Sequence, residues 1–249
     1  MKVKILSAWF GPKPIWYRQF VAQMARFKVI DWEPIPIPAQ SWKEQVNWLN
    51  SYATEILGVS CNKGMSGNDT CDIRPTYGEL FAEQYRGYDW WGWCDLDMLF
   101  GDLDRLLPEL LTNDCEVINF KPDYLSGCFV LFRNVPEITR LWRKGKYREI
   151  LGEEQYHCWD ESGYKHYPGE SFYNLLLNEG FRINNRPDLY GYDARHWRQP
   201  IEVREGRIYD MSPVNEEGLI NPRYGKELAF LHFMSDRWPL RADGKSRWL

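Results

Sequence analysis

The sequence predicts an α/β fold, a mainly parallel mixed sheet flanked by helices, and three observations predict it. Short apolar runs alternate with segments of helical periodicity along most of the chain, the pattern of strand–helix–strand units. The run Trp90-Trp91-Gly92-Trp93-Cys94 is aromatic and apolar, as a buried strand is. It ends in two carboxylates, Asp95 and Asp97, and ligands in open α/β sheets sit at the carboxyl ends of strands. With 249 residues the chain is long enough to bury a substantial core in one domain, and no second independent domain is expected.

Residues Lys2–Trp9 read as a first strand, ended by Phe10-Gly11-Pro12. Trp16–Phe27 has helical spacing. Val29–Pro38 reads as extended, because prolines at 34, 36 and 38 forbid a helix and confine any strand to an edge. Trp42–Leu57 returns to helical spacing, with Trp48, Leu49, Tyr52, Ile56 and Leu57 on or near one face. Gly58–Asp72 is polar and glycine-rich, a long loop of the kind that carries function. Tyr77–Tyr85 is expected to be a helix and Tyr88–Cys94 a buried strand. Beyond the paired carboxylates, Asp102–Leu111 is helical, with Asp102 and Asp104 as its caps. Cys115–Phe120 and Gly127–Phe132 are strands, Val135–Trp142 and Glu170–Glu179 helices, and Phe181–Asn184 a strand.

Side chains two apart on a strand share a face, so Asp95 and Asp97 converge where the strand leaves the core. Buried carboxylates repel, and something positive is expected between them. Asp102 and Asp104 already cap the next helix, which frees the first pair from that work. A divalent cation held by one or two carboxylates and substrate phosphates is the usual form of a Mg²⁺ or Mn²⁺ site.

A net charge of −4 argues against a protein that coats nucleic acid, though it allows a local basic patch. Thirteen Trp and fifteen Tyr supply flat amphipathic side chains that suit stacking on sugars or bases, while core packing absorbs many of them. No stretch reaches about 18 apolar residues and the first residues resemble no leader, so a cytoplasmic location is expected. The six cysteines form no CxxC pair and read as ordinary core thiols. A Cys61–Cys71 bridge or metal pair, and a zinc site at His157, Cys158 and His166, are the weaker alternatives.

Asp95-Leu96-Asp97 after a hydrophobic strand resembles the DXD motif of GT-A glycosyltransferases, enzymes that bind a nucleotide-sugar through a divalent metal. More narrowly, three segments in order resemble a little-characterised glycosyltransferase-like family of bacterial polysaccharide loci and phages. They are Asp72-Ile73-Arg74-Pro75-Thr76-Tyr77-Gly78, Gly87-Tyr88-Asp89-Trp90-Trp91-Gly92 and Asp95-Leu96-Asp97-Met98-Leu99-Phe100-Gly101-Asp102. Ser126-Gly127-Cys128-Phe129-Val130-Leu131-Phe132-Arg133-Asn134 and Leu231-His232-Phe233 fit the same pattern.

The resemblance implies a single GT-A-like domain over residues 1–249, with a nucleotide-sugar-binding half at 1–120, an acceptor half at 121–236 and a tail at 237–249. It implies Mn²⁺ or Mg²⁺ on Asp97, Asp95 and His232, with Asp95 acting directly, through water or on the ribose. Trp9 and Phe10 stand where such folds receive the base, UDP-sugars being favoured. Asp72 suits base or ribose and Arg74 a phosphate. Inverting transfer needs a carboxylate base, for which Asp160 and Glu161 are the available pair.

Two acceptors remain open, a polysaccharide or oligosaccharide and a hydroxymethylated base in phage DNA. DNA would need a basic track, offered by Arg140, Arg143, Lys144, Lys146 and Arg148 and by Arg195-His196-Trp197-Arg198. Such runs are otherwise solvated helix faces. A bacterial enzyme, or a phage enzyme in the host cytoplasm, fits either acceptor. The competing classes are a non-catalytic carbohydrate- or nucleotide-binding protein of the same fold and a metal-dependent phosphotransferase or nuclease. The latter lacks a GxxxxGK[ST] loop and a second dense acid cluster.

Overall fold

The computed structural model describes residues 1–66, 68–163, 169–193, 201–211 and 224–232. In chain order its elements begin with β1 (Val3–Ser7), α1 (Tyr17–Met24), β2 (Ile30–Pro34) and α2 (Trp42–Leu57). A 3-10 segment, Asp69–Thr76, leads into α3 (Tyr77–Leu80), β3 (Trp90–Cys94), β4 (Met98–Phe100), α4 (Leu103–Leu110), β5 (Val117–Asn119) and β6 (Phe129–Arg133). Then come α5 (Pro136–Thr139), α6 (Tyr147–Gly152), α7 (Phe172–Asn178), β7 (Ile183–Asn185), β8 (Tyr190–Asp193), β9 (Ile201–Arg204), β10 (Arg207–Asp210), β11 (Glu227–Leu228) and β12 (Phe230–His232).

Six strands form the central sheet in the order β2-β1-β3-β6-β5-β7. All pairings are parallel except the two made by β6, so the expected mainly parallel mixed sheet is what the chain builds. Every residue of β1 and β3 is buried, because the sheet is covered on both faces. Strand alternation divides the core accordingly. Trp91 and Trp93 of β3 join Phe132, Leu49 of α2 and Phe172 of α7 on one face. Trp90 and Cys94 join Val3, Ile5, Phe20 of α1 and Leu107 of α4 on the other. The Trp91 and Phe132 rings stack at 4.7 Å, which sets much of the packing between β3 and β6.

Local signals explain several boundaries. Ser41 and Glu44 form a reciprocal capping box at the start of α2, and Gly58 in the left-handed region ends it. β2 lies at the sheet edge, where Pro34 loses nothing by lacking an N–H. Asp102 caps α4 by accepting from Arg105 N. Asp104 does not cap; its carboxylate accepts from the Lys28 and Val29 amides at 2.8 and 3.0 Å and ties the entry to β2 onto α4.

Other expectations are corrected. The loop from Gly58 ends earlier than Asp72, at the 3-10 segment. The helix expected over Tyr77–Tyr85 stops at Leu80, and the Val135–Trp142 helix breaks at Arg140 into α5 and a 3-10 turn at Leu141–Lys144. The short elements β4, α6 and β8 to β12 were not anticipated. β4, β12 and β8 make a three-stranded sheet, as do β11, β10 and β9. All six cysteines are free thiols, so no Cys61–Cys71 bridge forms. No helix among the described residues is long and apolar enough to cross a membrane.

Gly92 marks a tight point between β3 and β6. A Cβ there would stand 2.1 Å from the Val130 carbonyl oxygen and 2.9 Å from the Leu131 side chain, so β3 and β6 approach as closely as they do only around a glycine. Gly92→Ala is therefore expected to lower the unfolding free energy by about 1–3 kcal/mol. Urea denaturation tests this, and a loss below about 0.5 kcal/mol would refute the packing argument.

Candidate functional site

β1, β3 and β5 all end at one edge of the sheet, and the antiparallel β6 begins there. The segments that leave this edge wall a cleft of about 770 Å³. Ala8–Phe10 follow β1, Asp95–Asp97 follow β3, Lys121 and Tyr124 follow β5, and Ser126–Cys128 precede β6. Arg74 and Tyr77 enter from the 3-10 segment and α3, Tyr156–Glu161 from the stretch after α6, and His232 from the end of β12.

Asp95 and Asp97 do converge, but not as alternate residues of one strand. β3 ends at Cys94, and the two acids lie in the turn before β4, with Leu96 buried between them. The Asp95 amide donates to the Cys128 carbonyl at 2.9 Å, and Trp16 Nε1 donates to the Leu96 carbonyl at 3.1 Å, which fixes the turn from both sides. β12 pairs antiparallel with β4, placing His232 opposite Met98. His232 Nε2 then lies 3.4 Å from Asp97 Oδ1 and 3.7 Å from Asp95 Oδ2. One donor atom from each residue lies within 4.8 Å of the others. Two carboxylates and an imidazole at that spacing could hold a divalent cation.

Arg74 is the positive group expected beside the acids. Its Nη2 donates to Asp95 Oδ1 at 2.5 Å, and its Nη1 donates to Asp160 Oδ2 at 3.2 Å and the Gly127 carbonyl at 2.6 Å. These contacts commit the guanidinium to carboxylates rather than to a phosphate. Trp93 Nε1 shares the Gly127 carbonyl at 2.9 Å. Asp160 is buried and also accepts from Tyr156 OH at 2.9 Å, so both its oxygens are engaged. Glu161 lies against the backbone of Gly127, where an added Cβ would stand 2.1 Å from its Oε1. Of this pair, Glu161 is the better placed to accept a proton from a bound hydroxyl.

Asp72 is not in the cleft. It is fully buried, ion-paired to Lys63 at 2.9 Å, and accepts from the His157 and Trp159 amides at 2.8 Å each. No base or ribose reaches it. Trp9 and Phe10 do line the cleft, with Trp9 edge-on to Trp16 and Phe10 tilted on Trp42. Trp9 Nε1 is tied to the Pro12 carbonyl at 2.8 Å. Tyr124, Tyr156, Tyr190 and Lys121 complete the walls; Lys121 Nζ sits 3.6 Å over the Tyr190 ring. Sequence reading missed these four, since each is an isolated residue whose neighbours come from distant segments.

Four residues of the basic run are paired with acids, and Arg148 lies over the Tyr147 ring. Arg143 pairs with Glu79 at 2.9 Å, Lys144 with Glu179, Lys146 with Glu170 at 3.9 Å and Arg140 with Glu79 at 4.0 Å; none lines the cleft. Arg195–Arg198, His166, Phe233 and the 237–249 tail lie outside the described residues. His157, the other half of the zinc alternative, stands 3.0 Å from Glu153.

Burial raises the pKa of Asp95 against the opposing pull of Arg74, with the Asp97 charge adding to the rise. Burial likewise raises Glu161, and raises Asp160 well above the ordinary carboxylate range, although Arg74 favours both charged forms. For His232 burial disfavours the charge, but Cys128 and Asp97 outweigh it and lift the imidazole well above its ordinary value. A raised carboxylate stabilises the fold fully below its unfolded pKa, about 4.3 for Glu, and that stability is lost as pH rises through the folded value. Glu161→Gln is thus expected to raise the Tm of the metal-free protein at pH 8 by about 2–4 °C, equivalent to ~1 kcal/mol at this size. The gain should shrink as pH falls towards the unfolded value; a gain that does not vary with pH in scanning calorimetry would contradict the assignment.

A family model described as "Family of unknown function (DUF6625)" matches residues 66–246. Among solved structures, the chain is similar to a glycosyltransferase involved in the glycosylation of the major capsid of PBCV-1, with a TM-score of 0.50, 10% identity and 94% of each chain covered. Two structures of LgtC, one an active-site variant and one the galactosyltransferase with donor and acceptor sugar analogues, give TM-scores of 0.45 and 0.44 at 12% and 10% identity. In each, 98% of this chain and 91% of the other are covered. No curated protein matches the sequence. At 10% identity the likeness to the first of these shows a shared α/β fold.

Proposed function

The chain belongs to that family of unknown function, DUF6625, and we propose that it is a metal-dependent glycosyltransferase that moves a sugar from a nucleotide-diphosphate sugar to a hydroxyl acceptor. The observation that carries this reading is the meeting of Asp95, Asp97 and His232, from a strand-end turn and a distant strand, in an aromatic-walled cleft.

In this reading Asp97, Asp95 through Oδ2, and His232 hold Mn²⁺ or Mg²⁺. The metal, when bound, offsets the negative charge that collects on the nucleoside diphosphate as the bond to the sugar breaks. Trp9 and Phe10, beyond β1, offer the nucleotide base an aromatic surface, and a UDP-sugar is the favoured donor. Arg74 offsets the repulsion between Asp95 and Asp160 and so lets the metal side and the acceptor side of the cleft stand together. Glu161 accepts the proton of the attacking hydroxyl if the transfer inverts configuration. Residues 1–120 supply most of the donor side and 121–236 the acceptor side, although His232 crosses to the metal. The pairing of Arg140, Arg143, Lys144 and Lys146 with acids, away from the cleft, favours a glycan over DNA as acceptor.

Thermal-shift and hydrolysis screens of UDP- and GDP-sugars with Mn²⁺ or Mg²⁺ test the reading. One donor at 100 times its Kd should stabilise the protein by about 2.7 kcal/mol. Asp97→Asn should abolish this and cut metal-dependent hydrolysis by about 10²-fold or more while leaving the fold intact. No donor or metal effect in the wild type would overturn the reading in favour of a non-catalytic binding protein. A hydroxymethylated DNA duplex run beside oligosaccharide acceptors decides between the two acceptor classes.

Proton competition offers a second check. The raised pKa of His232 favours the protonated imidazole in the metal-free protein, and a metal competes with that proton. Affinity for Mn²⁺ alone should therefore rise with pH, by about tenfold per unit while one proton is released. Calorimetry in two buffers of different ionisation enthalpy counts the protons released; a count of zero would contradict the raised pKa of His232 and of Asp95.

A further inference from the structure

The buried ion pair of Lys63 and Asp72 lies outside the cleft and takes no part in the chemistry above. Both side chains are wholly inaccessible. The Lys63 ammonium donates to Asp72 Oδ2, to the Ile150 carbonyl at 3.1 Å and to the Gln155 carbonyl, which uses all three of its protons. Asp72 in turn accepts the amides of His157 on Oδ2 and Trp159 on Oδ1. A buried pair of this kind is seldom better for stability than two well-packed apolar side chains, so stability alone does not account for it.

What the pair grips does account for it. Besides the Ile150 carbonyl of α6, its partners are the backbone of 155, 157 and 159, the stretch that carries Tyr156, Asp160 and Glu161 into the cleft. That stretch turns through Cys158 at a φ of 54°, a left-handed conformation that side chains other than glycine resist. The Glu161 and Gly163 amides both donate to the Cys158 carbonyl, at 3.1 and 2.7 Å, so the turn sets where Glu161 points. Two residues beyond Asp72, Arg74 holds the same stretch by the Asp160 side chain. One 3-10 segment thus grips the stretch twice, by backbone through Asp72 and by side chain through Arg74.

We propose that Lys63 and Asp72 are positioning residues that hold the 155–161 segment, and with it the Glu161 carboxylate, in register with the metal side of the cleft. The proposal rests on the glycosyltransferase reading, and it replaces the nucleotide contact expected for Asp72.

The test is Lys63→Met/Asp72→Asn, which buries no charge and keeps one oxygen acceptor for an amide. Amide exchange at 156–161 should quicken about tenfold or more while β3 stays protected. With the donor found in the screen, kcat should fall by about 10²-fold, with donor KM and Mn²⁺ affinity within about threefold of wild type. If the double variant does not fold, Lys63→Gln keeps Asp72 on both amides but loses the ion pair together with the grip on 150 and 155; a loss of the same kind is expected. Unchanged exchange at 156–161, or an unchanged kcat, overturns the proposal. So does a loss of protection across the whole sheet together with Mn²⁺ affinity, which would make the pair a general scaffold. A wild type that turns over no nucleotide sugar removes the glycosyltransferase reading instead, so the two failures are distinct.

Discussion

Four carboxylates, Asp95, Asp97, Asp160 and Glu161, face one cleft, and the guanidinium of Arg74 is what allows the chain to close around them. It reaches from Asp95 on one wall to Asp160 on the other and rests on the Gly127 carbonyl between them. An ammonium group lacks the planar fork needed to span all three. Arg74 and Lys121 supply two positive charges against four negative ones, and the remaining two equal the charge of one divalent cation. Burial, with the crowding of negative charge, raises the pKa values of Asp95, Asp160 and Glu161, and Cys128 and Asp97 lift that of His232.

This arrangement stands on a stiff base. β3 lies at the middle of the sheet, with its tryptophans packed alternately into the two cores, and Gly92 lets β6 come close. That approach brings Gly127 and Cys128, just before β6, beside Asp95, just after β3. The aromatic content the sequence advertises is therefore used twice. Trp90, Trp91, Trp93, Trp142 and Trp159 are spent in the core, while Trp9, Trp16 and Trp42 are left to wall the cleft.

Much of this was legible without coordinates. Prolines at 34, 36 and 38 confined β2 to an edge, the Ser41–Glu44 box and Gly58 bounded α2, and the apolar run before Asp95 marked the central strand. Those signals are local, carried by propensity, capping and periodicity. What escaped was short or non-local. β4 and β12 have three residues each, too few for a period to register, and their pairing is what brings His232 to the acids. Asp72 looked like a ligand because it sits beside Arg74 in a polar loop, and nothing nearby in sequence announces that the amides of 157 and 159 will cover it.

The sequence by itself determined the α/β class, the order of its larger elements, and the acids at the end of the central strand, because hydrophobic periodicity and backbone chemistry act over a few residues at a time. Tertiary structure alone decided which polar groups meet. Arg74 with Asp160, Lys63 with Gln155 and His232 with Asp97 are each separated by 86 or more residues, and their distances follow from sheet order and strand register. A buried charge is governed by what surrounds it in space, and that surrounding exists only once the sheet has closed.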